Sequence, residues 1–175
     1  MIKKIVFIFA LVLMPLICNG QVFLSVQDVL GMRKSVIRND NQAAQILKAR
    51  GYTKQFKSED SNYFYKNCKL TVIDGSIYDP RKMEASPKSA QASFVEVYQD
   101  EYKCTQYFHI EVTVYGKANA QKWLAQLKGL GYRINTSMSY SGFGQNNWYY
   151  EKRGYPILTL KNEGSTYTLG IAIEM

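Results

Sequence analysis

Gln121-Lys-Trp-Leu-Ala-Gln-Leu-Lys-Gly-Leu-Gly-Tyr132, followed by Asn147-Trp-Tyr-Tyr150 and Pro156-Ile-Leu-Thr-Leu-Lys161, is the stretch on which the fold turns. An earlier stretch echoes it: Asn41-Gln-Ala-Ala-Gln-Ile-Leu-Lys-Ala-Arg-Gly-Tyr52, then Asn62-Tyr-Phe-Tyr65 and Lys69-Leu-Thr-Val-Ile73. Each copy reads as a helix closed by Gly-Tyr, an aromatic triplet on a strand, and an apolar strand. Each then reaches a Gly-Ser turn, at Gly75-Ser76 and at Gly164-Ser165. A chain written this way is expected to be α+β. Two related helix-plus-antiparallel-sheet repeats, over residues 21–115 and 116–175, would set helices on one face of the sheet.

Outward from the repeat, the local signals supply the elements. Ser25 and Asp28 form a capping-box pattern ahead of Val26, Val29, Leu30, Val36 and Ile37, predicting a helix over about 26–37. Gly51 supplies the positive backbone angle that ends the next one. Tyr52 to Lys57, Tyr63 to Tyr65 and Cys68 to Ile73 read as strands, with turns at Ser58–Ser61, Lys66-Asn67 and Asp74-Gly75. Residues 77–92, with Pro80 and Pro87, read as a loop insertion that the second copy lacks. Ser93–Gln99 and Gln106–Tyr115 are expected strands. In the second, Phe108, Ile110, Val112 and Val114 alternate with Tyr107, His109, Glu111 and Thr113. Trp123, Leu124, Leu127 and Leu130 are expected to form the buried stripe of the helix after Gly116. Strands are then expected near 132–139, 147–152, 156–161 and 166–174.

The N-terminus reads as a secretory signal peptide over residues 1–20: Lys3 and Lys4, an apolar run from Ile5 to Ile17, and Gly20 before the polar Gln21. Cleavage near Gly20-Gln21 would deliver the protein to the periplasm or medium with no membrane span left, since the run is shorter than the ~20 residues a spanning helix needs. Lipid attachment at Cys18 is disfavoured by bulky Ile17. Loss of Lys3 and Lys4 leaves 20 of the 22 basic side chains against 14 acidic ones, a net charge of +6. The charge is dispersed, and neither motif nor basic run points to nucleic acid.

Cys68 and Cys104 are the only cysteines beyond the leader. In an exported chain an even count points to a disulfide; two free, buried thiols are the alternative.

The layout carried by Val29-Leu30, Leu47 to Tyr52, Leu127 to Tyr132 and Trp148 to Tyr150 resembles that of many small exported bacterial proteins without assigned function. In architecture it is also similar to the secreted beta-lactamase-inhibitor proteins, which pair two helix-plus-sheet repeats. The resemblance spans most of residues 25–175 but carries no inhibitory motif, so it implies a fold and leaves function open.

Catalytic sets are sparse. His109 is the only histidine, and one imidazole with two cysteines cannot assemble the usual zinc sites; no metal or cofactor is expected. Glu96 and Glu111 could face one another on adjacent strands, as a carboxylate-based hydrolase would need; solvated strand positions are the plainer reading. The most distinctive segment is Thr136-Ser-Met-Ser-Tyr-Ser-Gly-Phe-Gly-Gln-Asn-Asn-Trp-Tyr-Tyr150. Its composition is that of adaptable contact loops, with Tyr140, Phe143, Trp148 and Tyr150 as the binding residues; alternatively Trp148 and one neighbouring tyrosine pack on the sheet. The expected function is a non-catalytic exported binding protein for a protein partner, with an inhibitor or immunity-type role as one version of it. A cell-envelope carbohydrate or peptidoglycan module is the second reading, and a small hydrolase the third.

Overall fold

A computed structural model describes residues 23–57, 61–76, 79–102, 105–142 and 144–174. The expected signal peptide, the Ser58–Asp60 part of one expected turn, Cys104 and Phe143 lie outside the described residues.

Three helices and ten strands follow one another in the chain. They are α1 (Val26–Arg38), α2 (Gln42–Ala49), β1 (Lys54–Lys57), β2 (Ser61–Lys66), β3 (Lys69–Ser76), β4 (Asp79–Ser86), β5 (Ser93–Tyr102) and β6 (Thr105–Tyr115), followed by α3 (Lys117–Gly129), β7 (Arg133–Gly142), β8 (Gln145–Glu151), β9 (Leu158–Glu163) and β10 (Thr166–Glu174). Eight strands form one antiparallel sheet in the order β1-β2-β5-β6-β10-β9-β8-β7, and β3 pairs only with β4.

The helix ends follow from sequence. Ser25 caps α1 through a complete capping box: its Oγ accepts from Asp28 N at 3.0 Å while its own N–H donates to Asp28 Oδ2 at 2.8 Å. Ser35, buried on α1, accepts from Ala43 N and donates to the Asp40 carboxylate, which locks the α1–α2 corner. That hydroxyl, followed by the Gln42 N–H, holds the Asp40 carboxyl below its ordinary value. The two Gly-Tyr ends match bond for bond. Gly51 and Gly131 both have φ +81. Tyr52 N donates to Leu47 O at 3.0 Å, and Tyr132 N to Leu127 O at 2.9 Å. These six-to-one bonds satisfy carbonyls that the helix leaves open, and the left-handed residue that permits them must be glycine at little cost.

One core gathers Val26, Val29 and Met32 of α1, Leu47 of α2, and Trp123 and Leu127 of α3. Alternate residues of the central strands join them: Val95, Ile110, Val112, Leu158, Leu160, Leu169, Ile171 and Ile173. Trp123 is fully buried, donates Nε1 to Leu24 O at 2.9 Å, and meets Phe23 edge to face at 5.3 Å. Removing so large a ring from water is among the strongest single contributions to such a core. A smaller cluster on the other face unites Tyr63, Phe94 and Tyr115 of the sheet with Cys68 and Ala85, and with half-buried Leu70 and Met83 of the β3–β4 hairpin.

Four expectations are corrected. Leu124 is 38% exposed, because one residue past Trp123 it has turned about 100° off the buried stripe. Asp74-Gly75 is no turn, since β3 continues to Ser76 with Asp74 opposite Arg81. The expected 77–92 loop contains β4, although residues 77–78 lie outside the described ones; Pro80 is tolerated because β4 has a partner on only one side. Lys69–Ile73 does not take the place that Leu158–Lys161 holds in the large sheet; β5 does.

Of the expected Cys68–Cys104 pair, only Cys68 lies among the described residues. Cys68 is a free thiol, 5% exposed, with Sγ 3.8 Å from Ser93 O.

Candidate functional site

The face of the sheet that carries the smaller cluster holds a groove of about 950 Å³, walled on one side by Ile73, Met83 and Glu84 of the hairpin and by Lys88 just beyond it. Its floor follows from register. Successive strands place Tyr63, Glu96, Glu111, Gly170 and Thr159 in one cross-strand row. The next row runs Tyr65, Phe94, Thr113, Thr168, Lys161, Asn147 and Tyr140. Because side chains alternate along a strand, the leucines and valines between these residues point to the other face, into the larger core.

The polar floor is fixed by short contacts. Tyr63 Oη donates to Glu96 Oε1 at 2.7 Å and Ser61 Oγ donates to the same oxygen at 3.0 Å. Lys161 Nζ donates to Glu111 Oε1 at 2.7 Å. Burial opposes the Lys161 charge, but the Glu111 carboxylate beside it prevails and raises the ammonium's pKa above its ordinary value. Tyr98 and His109 stack with centroids 4.6 Å apart and planes 5° from parallel. Tyr115, in the smaller cluster, has its phenol pushed up to about 12, chiefly by desolvation.

Gly170 leaves the floor open at the place where packing requires it. A Cβ there would meet Thr159 Oγ1 at 2.6 Å and the Glu111 side chain at 3.5 Å. Any other residue would displace the threonine or the carboxylate bound to Lys161.

The four sequence-nominated contact residues do not converge. Trp148 and Tyr150 stand opposite Leu160 and Leu158 and pack, half-buried, against the larger core. Tyr140 is 59% exposed and stands on the groove side, opposite Asn147. Phe143 lies outside the described residues. The segment is a β-hairpin whose outer strand bulges between Asn135 and Tyr140. There Asn135 Oδ1 accepts from Ser137 N and Met138 N, and Ser139 Oγ stands in for a ladder carbonyl by accepting from Tyr149 N at 3.0 Å. A bulge of this kind bends an edge strand away from foreign pairing.

Glu96 and Glu111 do meet, as directly opposed residues of β5 and β6. His109 lies two residue pairs further along, opposite Tyr98 and on the same face. Tyr63, Phe94, Tyr98 and Lys161 were not singled out from sequence. The available signal was the two-residue step from Phe94 through Glu96 to Tyr98 on a strand whose other side is Val95 and Val97. Among the described residues, no group of three His, Cys, Asp or Glu side chains could hold a metal ion, and no helix is long and apolar enough to cross a membrane. No protein-family model matches the chain, and comparison with characterised proteins and with solved structures finds no significant similarity.

Proposed function

We propose that the chain is an exported, non-catalytic binding protein that takes a protein partner on the open face of its sheet, in the groove beside the β3–β4 hairpin. The observation that carries this reading is the groove itself: a floor of tyrosines, phenylalanine, threonines and charged side chains on a rigid eight-stranded support. Aromatic rings on strands give contact area with little entropy left to lose, which suits a protein interface. The two adjacent carboxylates, which a glycosidase would leave facing substrate, are already engaged by Tyr63 and Ser61 and by Lys161. An inhibitor or immunity-type role is one form this binding can take. Export rests on the leader-like residues 1–20, with release to the periplasm or medium.

We also read the chain as two related halves with helices on one face of the sheet. Strand order supports this, because β1-β2-β5-β6 and β7-β8-β9-β10 run inward symmetrically from opposite edges. So do the matching Gly-Tyr helix ends. On this reading β3 and β4 are an insertion in the first half, where they furnish the groove wall.

The test is affinity capture of the purified protein's partner from its own cell envelope and medium, read by mass spectrometry. Tyr98→Ala and Tyr140→Ala should lose a stoichiometric protein that wild type and Ile37→Ala, a change on the exposed part of α1, both retain. Equal recovery by all four would refute the groove as the binding face. The Tyr98–His109 stack favours one second reading, a carbohydrate or peptidoglycan module, since flat rings also stack on sugars. Retention on sacculi with no protein recovered would select it.

A further inference from the structure

We infer that the solvent side of the three helices is a docking surface for an anionic phospholipid bilayer, on which the protein sits peripherally. This is a second surface, apart from the groove and independent of what the groove binds.

Charge that is dispersed along the chain is gathered by the fold. Beyond the leader-like residues the chain has 20 basic and 14 acidic side chains. Residues 26–50 and 117–129, which hold α1, α2 and α3, carry 8 of the basic ones and only 2 acids, Asp28 and Asp40. The helical segments therefore hold a net +6, and the remainder, with 12 side chains of each sign, is neutral. Both helical acids are engaged by arginines, Asp28 by Arg50 at 3.0 Å and Asp40 by Arg38 at 2.9 Å. The excess falls on Arg33 and five lysines.

Folding alone does not call for such a layer. Glutamate forms helices about as readily as lysine, pairs with it one turn away, and suits a first turn. Yet none of the three helices contains a glutamate. Glutamine takes the polar places instead, at Gln27, Gln42, Gln45, Gln121 and Gln126. Neither α2 nor α3 has an acid in its first turn, and α3 opens on Lys117, against the helix dipole. A surface that leaves out anions at some cost to its helices is complementary to one that supplies them.

The three helices make one patch. Val26 N donates to Gln126 Oε1 at 2.9 Å and Trp123 Nε1 to Leu24 O, which fastens the start of α1 beside α3, while Ser35 fastens α1 to α2. Lys117, Gln121, Leu124 and Lys128 recur at helical spacing and are all exposed, a solvent stripe down α3. On α1 the exposed Ile37 has Lys34 one turn before it and Arg38 beside it, both exposed. Exposed apolar side chains with cations a turn away suit the bilayer interface. There the apolar groups enter the acyl boundary and the lysine stems reach back to phosphate. Nucleic acid asks instead for exposed rings or a basic run, and the one aromatic residue of these helices, Trp123, is fully buried.

Co-sedimentation with vesicles tests this on the protein lacking residues 1–20, since that apolar run would enter lipid by itself. The core begins at Phe23, so the shortened chain keeps it. Vesicles of phosphatidylcholine with phosphatidylglycerol should retain the protein at low salt, and phosphatidylcholine alone should not. Lys34→Gln/Lys128→Gln should weaken retention on the order of twentyfold, about fivefold for each surface cation, and raised salt should also weaken it. Lys57→Gln/Lys69→Gln, the same change of net charge placed on β1 and β3, should bind as wild type does. All four lysines are exposed, so both variants should melt near wild type. Equal losses in the two variants would overturn the helical surface, because net charge alone would then be acting. Retention by neither vesicle would overturn the inference and leave the groove reading standing. Binding of soluble polyphosphate without binding of vesicles would overturn the lipid assignment.

Discussion

Glu96 and Glu111 stand directly opposite each other on β5 and β6, and each is held by a different kind of partner. Two hydroxyls hold the first and an ammonium holds the second. Like charges in opposed positions of a sheet are destabilising, and Lys161, reaching across β10 to Glu111, offsets that repulsion.

Lys161→Met should therefore destabilise the fold by about 1 kcal/mol at low ionic strength, the usual scale for a half-exposed pair plus cross-strand repulsion. The double variant Lys161→Met/Glu111→Gln should recover most of that loss. Urea titrations of the four combinations measure it, and a double variant no more stable than Lys161→Met would show that the pair is not coupled. Because the Lys161 pKa is raised in the fold, the contribution is complete below the ordinary lysine value of 10.5 and lost as pH rises past the higher folded value.

Alkali should also act through two phenols. Burial, ahead of every other cause, pushes Tyr52 and Tyr115 up to about 12 from 10.0. Both are neutral in the fold while the unfolded chain ionises, so stability is intact below pH 10 and falls as pH climbs from 10 to 12. Phenolate absorbance during a pH titration should show the Tyr52 and Tyr115 contribution delayed to about pH 12, and Tyr52→Phe should remove part of the late phase. A single phase near 10 would contradict the burial of both rings.

Cys68 should resist thiol reagents. Desolvation raises its pKa, which lowers the thiolate fraction, and the side chain is 95% enclosed. Modification in the native state, followed by peptide mass spectrometry, should be on the order of a hundredfold slower than in denaturant. Equal rates would mean that the corner between β2 and β3 opens freely.

Gly170→Ala should cost about 1–3 kcal/mol, the usual range for forcing an added carbon into a packed site. The new Cβ would lie 2.6 Å from Thr159 Oγ1. Thr159→Ala removes that oxygen, so the double variant should melt close to Thr159→Ala alone. No recovery would place the strain in the backbone instead.

The helix ends and the buried faces of β6 and β10 were legible in sequence because each is decided locally. Gly51 and Gly131 announce a left-handed residue, and Val112 or Leu169 announce their side by alternation with polar neighbours. Trp148-Tyr-Tyr150 shows where local reasoning stops. Three aromatics in a row place one ring on one face and two on the other, and only the pairing of Trp148 with Leu160 decides which. β4 was hidden for a related reason, since a short proline-containing strand with one partner carries little alternation. The groove is further still from sequence: Glu96 and Lys161 are 65 residues apart, and only the register of β5, β6, β10 and β9 brings them to one floor.

The mirror order of the strands has a consequence for assembly in time. β10 follows every other strand of the sheet in sequence, yet it occupies the centre, between β6 and β9. Until residues 166–174 are made, β6 and β9 each lack the partner that covers their inner edge. The last strand to be delivered is a keystone. It pairs with both edges, so a chain cut before Thr166 is expected to leave β6 and β9 each without that partner, open to any chaperone or protease nearby.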